Sequence, residues 1–234
     1  MKKLYKVFIM FILLLSFLSI NISTTEGATK KIAHVNVKIG TLSVRSNTSL
    51  TSKKVGSLKK DAGVYVYAKT KSGWSEIRYK EKKAYVMTKH LKFANSYLAD
   101  KKKIYTYVIE GKQYKHVYTG KNLGWDEWTL NKEVYILGED KNGLHSGYPQ
   151  SEYTTSIKYP IKIGKKWSIE MGGDGFALVT SVTKTVKVPA GTFKNCIEVM
   201  TSDGYLFYYA KNVGFVKGVY QGVTYNKLIK MEKK

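Results

Sequence analysis

Four histidines, one cysteine and a few neighbouring acids are the side chains of this 234-residue sequence best suited to nucleophilic, acid–base or metal chemistry. They are scattered. His34, His90, His116 and His145 each stand alone, outside any His-x-His or His-Glu-x-x-His element that would cluster ligands for zinc. Cys196 is the single cysteine, and no histidine follows it. The apolar phrase around it predicts a buried small hydrophobe, not a nucleophile. Glycoside hydrolysis needs two carboxylates held about 5–10 Å apart. The acids of Asp126-Glu127 and of Glu139-Asp140 are adjacent, so on a strand they face opposite sides. They read as turn and surface acids. Gly172-Gly173-Asp174-Gly175 lacks the Lys-Ser/Thr of a phosphate loop and reads as a hairpin turn. The sequence therefore predicts no catalytic residue, no metal and no cofactor.

The elements that would position any site are strands. Short runs rich in Val, Ile, Tyr, Thr and Phe alternate with polar residues, as in Val64-Tyr65-Val66-Tyr67, Ile104–Val108 and Tyr205–Tyr209. Glu110-Gly111, Asn142-Gly143 and Asp203-Gly204 fall between such runs, where a turn needs a residue with positive φ. The pattern predicts an all-β chain. The N-terminus differs. Lys2, Lys3 and Lys6 precede an apolar run from Val7 to Ile20, and Gly27-Ala28 closes it, the layout of a cleaved secretory signal over residues 1–27. The run has 14 residues, short of the roughly 20 that span a bilayer. No transmembrane span is expected after cleavage. A single cysteine rules out an internal disulfide, so each core must hold itself together.

The predicted organisation is a first domain at 32–93, a polar linker at 94–103 around Asp100-Lys101-Lys102-Lys103, and a second antiparallel β domain at 104–234. The first contains Leu42-Ser43-Val44-Arg45-Ser46, then Lys54-Val55-Gly56-Ser57-Leu58, Val64 and Val66, Gly73-Trp74, Ile77 and Ala84-Tyr85-Val86. In that order these phrases resemble the bacterial SH3 domain over residues 40–92. Asn47-Thr48 stands where the family has Gly-Pro, and Ala84 where it has Gly. The resemblance implies a small SH3-like barrel, with Leu42, Val44, Val55, Leu58, Val64, Val66, Ile77, Val86 and Leu91 as its core. It also implies a non-catalytic module of an exported cell-wall protein, several members of the family binding peptidoglycan peptides. A groove would need aromatic faces beside a few polar groups. Arg45, Tyr67, Trp74 and Tyr85 are the candidate ligand-binding residues, Arg45 to pair a ligand carboxylate. In the second domain, Tyr159–Trp167, Val186-Lys187-Val188-Pro189-Ala190-Gly191-Thr192-Phe193 and Tyr208-Tyr209-Ala210-Lys211-Asn212-Val213-Gly214-Phe215-Val216-Lys217 resemble an uncharacterised family of exported bacterial β domains. That resemblance implies a curved sheet or half-barrel of unknown ligand.

Charge sets the partners. The chain carries 40 Lys and Arg against 17 Asp and Glu, a formal charge of +23. No segment resembles a nucleic-acid module, and nucleic acid is not an expected partner. The polyanions outside a Gram-positive cell are teichoic acids, phospholipid head groups and peptidoglycan carboxylates, which a positive field attracts without specificity. The sequence thus predicts a secreted, cell-wall-associated, non-catalytic binding protein whose SH3-like domain docks on peptidoglycan or another anionic envelope polymer. The alternatives are an accessory or catalytic part of a cell-wall hydrolase with an unrecognised site, or a host- or partner-interaction protein.

Overall fold

The computed structural model describes residues 30–169 and 174–234, and the signal-peptide reading lies outside them. The chain is all-β. Its first part runs β1 (Lys31–Val35), β2 (Thr41–Arg45), β3 (Lys54–Lys59), β4 (Gly63–Val66), β5 (Ala68–Lys69), β6 (Trp74–Tyr79), β7 (Lys82–Met87), a short helical turn (Thr88–His90) and β8 (Leu91–Phe93). These make a three-stranded sheet, β4-β1-β8, and a five-stranded sheet, β3-β2-β7-β6-β5. The chain changes sheet at Tyr67, whose amide donates to the Glu76 carbonyl at 2.9 Å. Alternation then divides each strand. Leu42 and Val44 of β2 point inward with Val64, Val66, Ile77, Val86 and Leu91, while Ser43 and Arg45 point outward.

One expected core residue is misplaced. Val55 is 38% exposed. Leu58 pairs with Leu42 and Gly56 with Val44, so the inward positions of β3 are even-numbered. Val55 lies at the register shift beside Arg45 and faces outward. Leu58 packs against the core from its edge.

The remaining strands form one antiparallel sheet. They are β9 (Lys103–Ile109), β10 (Lys112–Asn122), β11 (Trp125–Leu130), β12 (Glu133–Asp140), β13 (Gly143–Gly147), β14 (Tyr153–Lys158), β15 (Lys166–Ser168), β16 (Phe176–Val188), β17 (Gly191–Thr201), β18 (Tyr205–Ala210), β19 (Gly214–Tyr220) and β20 (Val223–Lys233). The order is β14-β13-β12-β11-β10-β9-β20-β19-β18-β17-β16-β15, so two meanders join where β9 pairs with β20. Register shifts in six of its strand pairs bend the sheet, three of them within β16–β17 alone. The curl brings the two edge strands together: the Trp167 indole of β15 donates to the Thr155 carbonyl of β14 at 2.7 Å. The result is a nearly closed barrel.

The segment read as a polar linker is seated on this sheet. Tyr97 and Ala99 are buried, the Tyr97 amide donates to Glu139 Oε1 at 2.8 Å, and Asn212 donates to the Ser96 carbonyl at 2.9 Å. The small barrel also touches the large one. His34 Nε2 lies 2.9 Å from the Lys141 carbonyl, its ring meets Tyr159 edge-on, and Lys162 pairs with Asp61.

Candidate functional site

Arg45, Trp74 and Tyr85 lie on the outward face of the five-stranded sheet and Tyr67 at the crossover beside it, in two neighbouring groups. Trp74 of β6 pairs with Met87 of β7, and Glu76 with Tyr85, which in turn meets Arg45 of β2. Arg45 and Trp74 line a groove of about 950 Å³. Trp74 is only 5% exposed and forms its wall. Arg45 spends one guanidinium donor on the Ser52 carbonyl at 2.7 Å, which fixes the head beside the groove. Tyr67 and Tyr85 lie outside it, on a charged belt. Arg78 stacks 4.8 Å from the Tyr67 ring centre and reaches Glu76 at 2.8 Å. Lys83 reaches the other Glu76 oxygen at 2.8 Å and lies over Tyr85. Lys83 and then Arg78 hold the Glu76 carboxyl below its usual range, against the opposing effect of burial.

Sequence reasoning missed the apolar lips of the groove. Ile39 is 92% exposed and Leu50 63%. Both line the groove, as do Met87 and His90, and Lys38 and Lys60 add positive charge. The available signal was a lone aliphatic residue in each of two turn stretches, Lys38-Ile39-Gly40 and Ser49-Leu50-Thr51. Scattered apolar residues on a surface are ordinary; these two line the same groove.

The chemically capable residues are placed elsewhere. Cys196 is fully buried against Val186, Ala210 and Val216, and burial raises its thiol to about 11. Two acids depart from the surface reading. Asp126 is 1% exposed and forms ion pairs with Lys101, at 2.8 Å, and with Lys121. Glu139 accepts from the Tyr159 hydroxyl at 2.6 Å as well as from Tyr97. Both tie segments to the sheet. Asp140, His145 and Thr155 form a hydrogen-bonded row, with His145 Nε2 3.1 Å from Asp140 and Nδ1 3.2 Å from Thr155. The rings of Trp125 and Tyr153 pack on His145, which is 6% exposed. Among the described residues no three His, Cys, Asp or Glu side chains are grouped to hold a metal ion. Nor is any helix among them long and apolar enough to cross a membrane.

No family model matches the chain, and no curated protein does. Among solved structures, NlpC2 from Trichomonas vaginalis aligns over 88% of this chain and 98% of its own, with a TM-score of 0.32 and 9% identity. NlpC1 from the same organism aligns over 90% and 96%, with a TM-score of 0.31 and 10% identity. Likeness at that level carries no argument about fold or activity.

Proposed function

We propose that this is a secreted, non-catalytic cell-wall protein whose small SH3-like barrel binds peptidoglycan through the Arg45–Trp74 groove. The observation that carries the reading is the composition of the groove: exposed aliphatic lips at Ile39 and Leu50, a tryptophan wall, and Arg45, Lys38 and Lys60 around them. A peptidoglycan stem peptide has the complementary chemistry, small apolar side chains with free carboxylates. The carboxylates pair with the cations, arginine having a planar fork for them. The aliphatic lips cover the apolar groups.

The long-range field of the chain would draw any polyanion, so the test separates charge from groove. Purified protein is mixed with peptidoglycan stripped of teichoic acid, at low salt and at about 1 M salt, where the Debye length is about 3 Å. Saturable binding that persists at high salt is expected. Binding lost completely at high salt would reduce the small barrel to a charged adhesive.

A further inference from the structure

The inside of the large barrel holds a second cavity, of about 450 Å³, separate from the groove. Its walls come from both meanders of the sheet. Tyr107, Tyr135 and Leu137 face it from one side, and Phe207, Tyr209 and Phe215 from the other. A water occupies about 30 Å³ of liquid, so the space holds about fifteen waters or roughly a dozen methylene-sized groups. Volumes of this order are typical of small-molecule sites.

The charged part of the lining is of one sign. No lysine or arginine lines the cavity, although the chain has 40 of them. Glu133 and Glu152 do line it, both exposed, and neither belongs to any ion pair among the described residues. Asn226 adds a buried amide oxygen with no hydrogen-bond partner. His116, the cavity's imidazole, contacts the Tyr135 hydroxyl and is kept neutral by burial, which drives its pKa to about 3.

The topology puts the two carboxylates at one end of the barrel. In an antiparallel meander alternate hairpins share an end of the sheet. The β9–β10, β11–β12, β13–β14 and β19–β20 hairpins therefore cluster together. Glu133 opens β12, Glu152 immediately precedes β14, and Asn226 sits near the start of β20, paired with Ile109 at the end of β9. Tyr148, 60% exposed, and Tyr225 line the cavity at the same end.

We propose that the large barrel binds a small cationic amphiphile, its apolar body among the aromatic walls and its ammonium group at the mouth between Glu133 and Glu152. The probes are dodecylammonium, dodecanol and dodecanoate, titrated below their micelle concentrations into the purified protein by calorimetry. One saturable site is expected, with dodecylammonium about tenfold tighter than dodecanoate, the range that two lip ion pairs supply. Net charge alone predicts the reverse order, because a chain of +23 attracts the carboxylate. In a Glu133→Gln/Glu152→Gln protein the preference for the amine falls to about threefold or less while dodecanol binding stays the same. Equal or tighter dodecanoate binding, no saturable binding of any probe, or an amine preference that survives the double substitution would each overturn the proposal. None of these outcomes bears on peptidoglycan binding by the small barrel.

Discussion

Replacing Ile39 and Leu50 with serine separates recognition from stability in the small barrel. Both side chains lie largely in water, 92% and 63% exposed, and neither belongs to the buried core. The folded state should change by no more than about 0.5 kcal/mol, the usual range for exposed positions. A ligand in the groove covers them. Full burial of an aliphatic side chain contributes about 1.5–3 kcal/mol, and half coverage of both gives roughly 2 kcal/mol, or about thirtyfold in Kd. The assay is a sedimentation isotherm of labelled protein on peptidoglycan stripped of teichoic acid, at about 1 M salt so that charge is screened. Thermal melting is followed in parallel. Trp74→Ala is a poor substitute, because Trp74 is 5% exposed and its truncation leaves a hole costing about 3–5 kcal/mol. That is comparable to the whole stability of a domain this small. If the double serine variant binds as the parent does, the aliphatic lips make no contact and the groove reading fails.

Acid should destabilise the protein before its carboxylates titrate. Burial lowers the His34 pKa and drives that of His116 to about 3, whereas both imidazoles take up protons near 6.5 once unfolded. The unfolded chain therefore binds more protons below about pH 6.5, and protonation favours unfolding. Stability to urea should fall from there toward about pH 5, by up to about 1.4 kcal/mol per pH unit from His116 with His34 acting in the same direction, and His116→Phe should flatten the decline. A midpoint independent of pH over that window would contradict the burial of both rings. Cys196, with its thiol raised to about 11 by burial, should resist a disulfide reagent at about pH 8 in the native state and react on unfolding; rapid native labelling would show the β16–β19 core to be open. Gly56→Ala should destabilise the small barrel, since an added Cβ would lie 2.4 Å from the Tyr79 ring. An unchanged denaturation midpoint would show that the ring does not lie across that glycine.

Strands were legible wherever one face is buried and the other wet. β2, β4, β6 and β7 follow their alternation, and Leu42, Val44, Val64, Val66, Ile77 and Val86 enter the core as read. The failures come from interactions that alternation does not encode. Val55 shares an apolar phrase with Leu58, but their spacing of three puts them on opposite faces of β3. Gly143 looked like a turn residue beside Asn142; it lies instead in β13, where a Cβ would sit 2.3 Å from the Ile157 carbonyl. Asp126 and Glu139 have the local context of surface acids, and only the tertiary fold brings Lys101, Lys121, Tyr97 and Tyr159 to them. At the groove, Arg45 and Trp74 were legible from the barrel pattern. Tyr67 and Tyr85 were legible as outward aromatics but not as members of the Arg78–Glu76–Lys83 belt. The lips at Ile39 and Leu50 depend on how two turns fold over the sheet.

The most direct test of the central claim is to map a soluble peptidoglycan stem peptide onto the protein by amide and indole nuclear magnetic resonance at about 1 M salt. The expected result is a saturable set of shifts at Ser43, Arg45, Leu50 and Met87 together with the Trp74 indole, the residues that face one groove. Shifts confined to the large barrel, or none once the charge is screened, would contradict it.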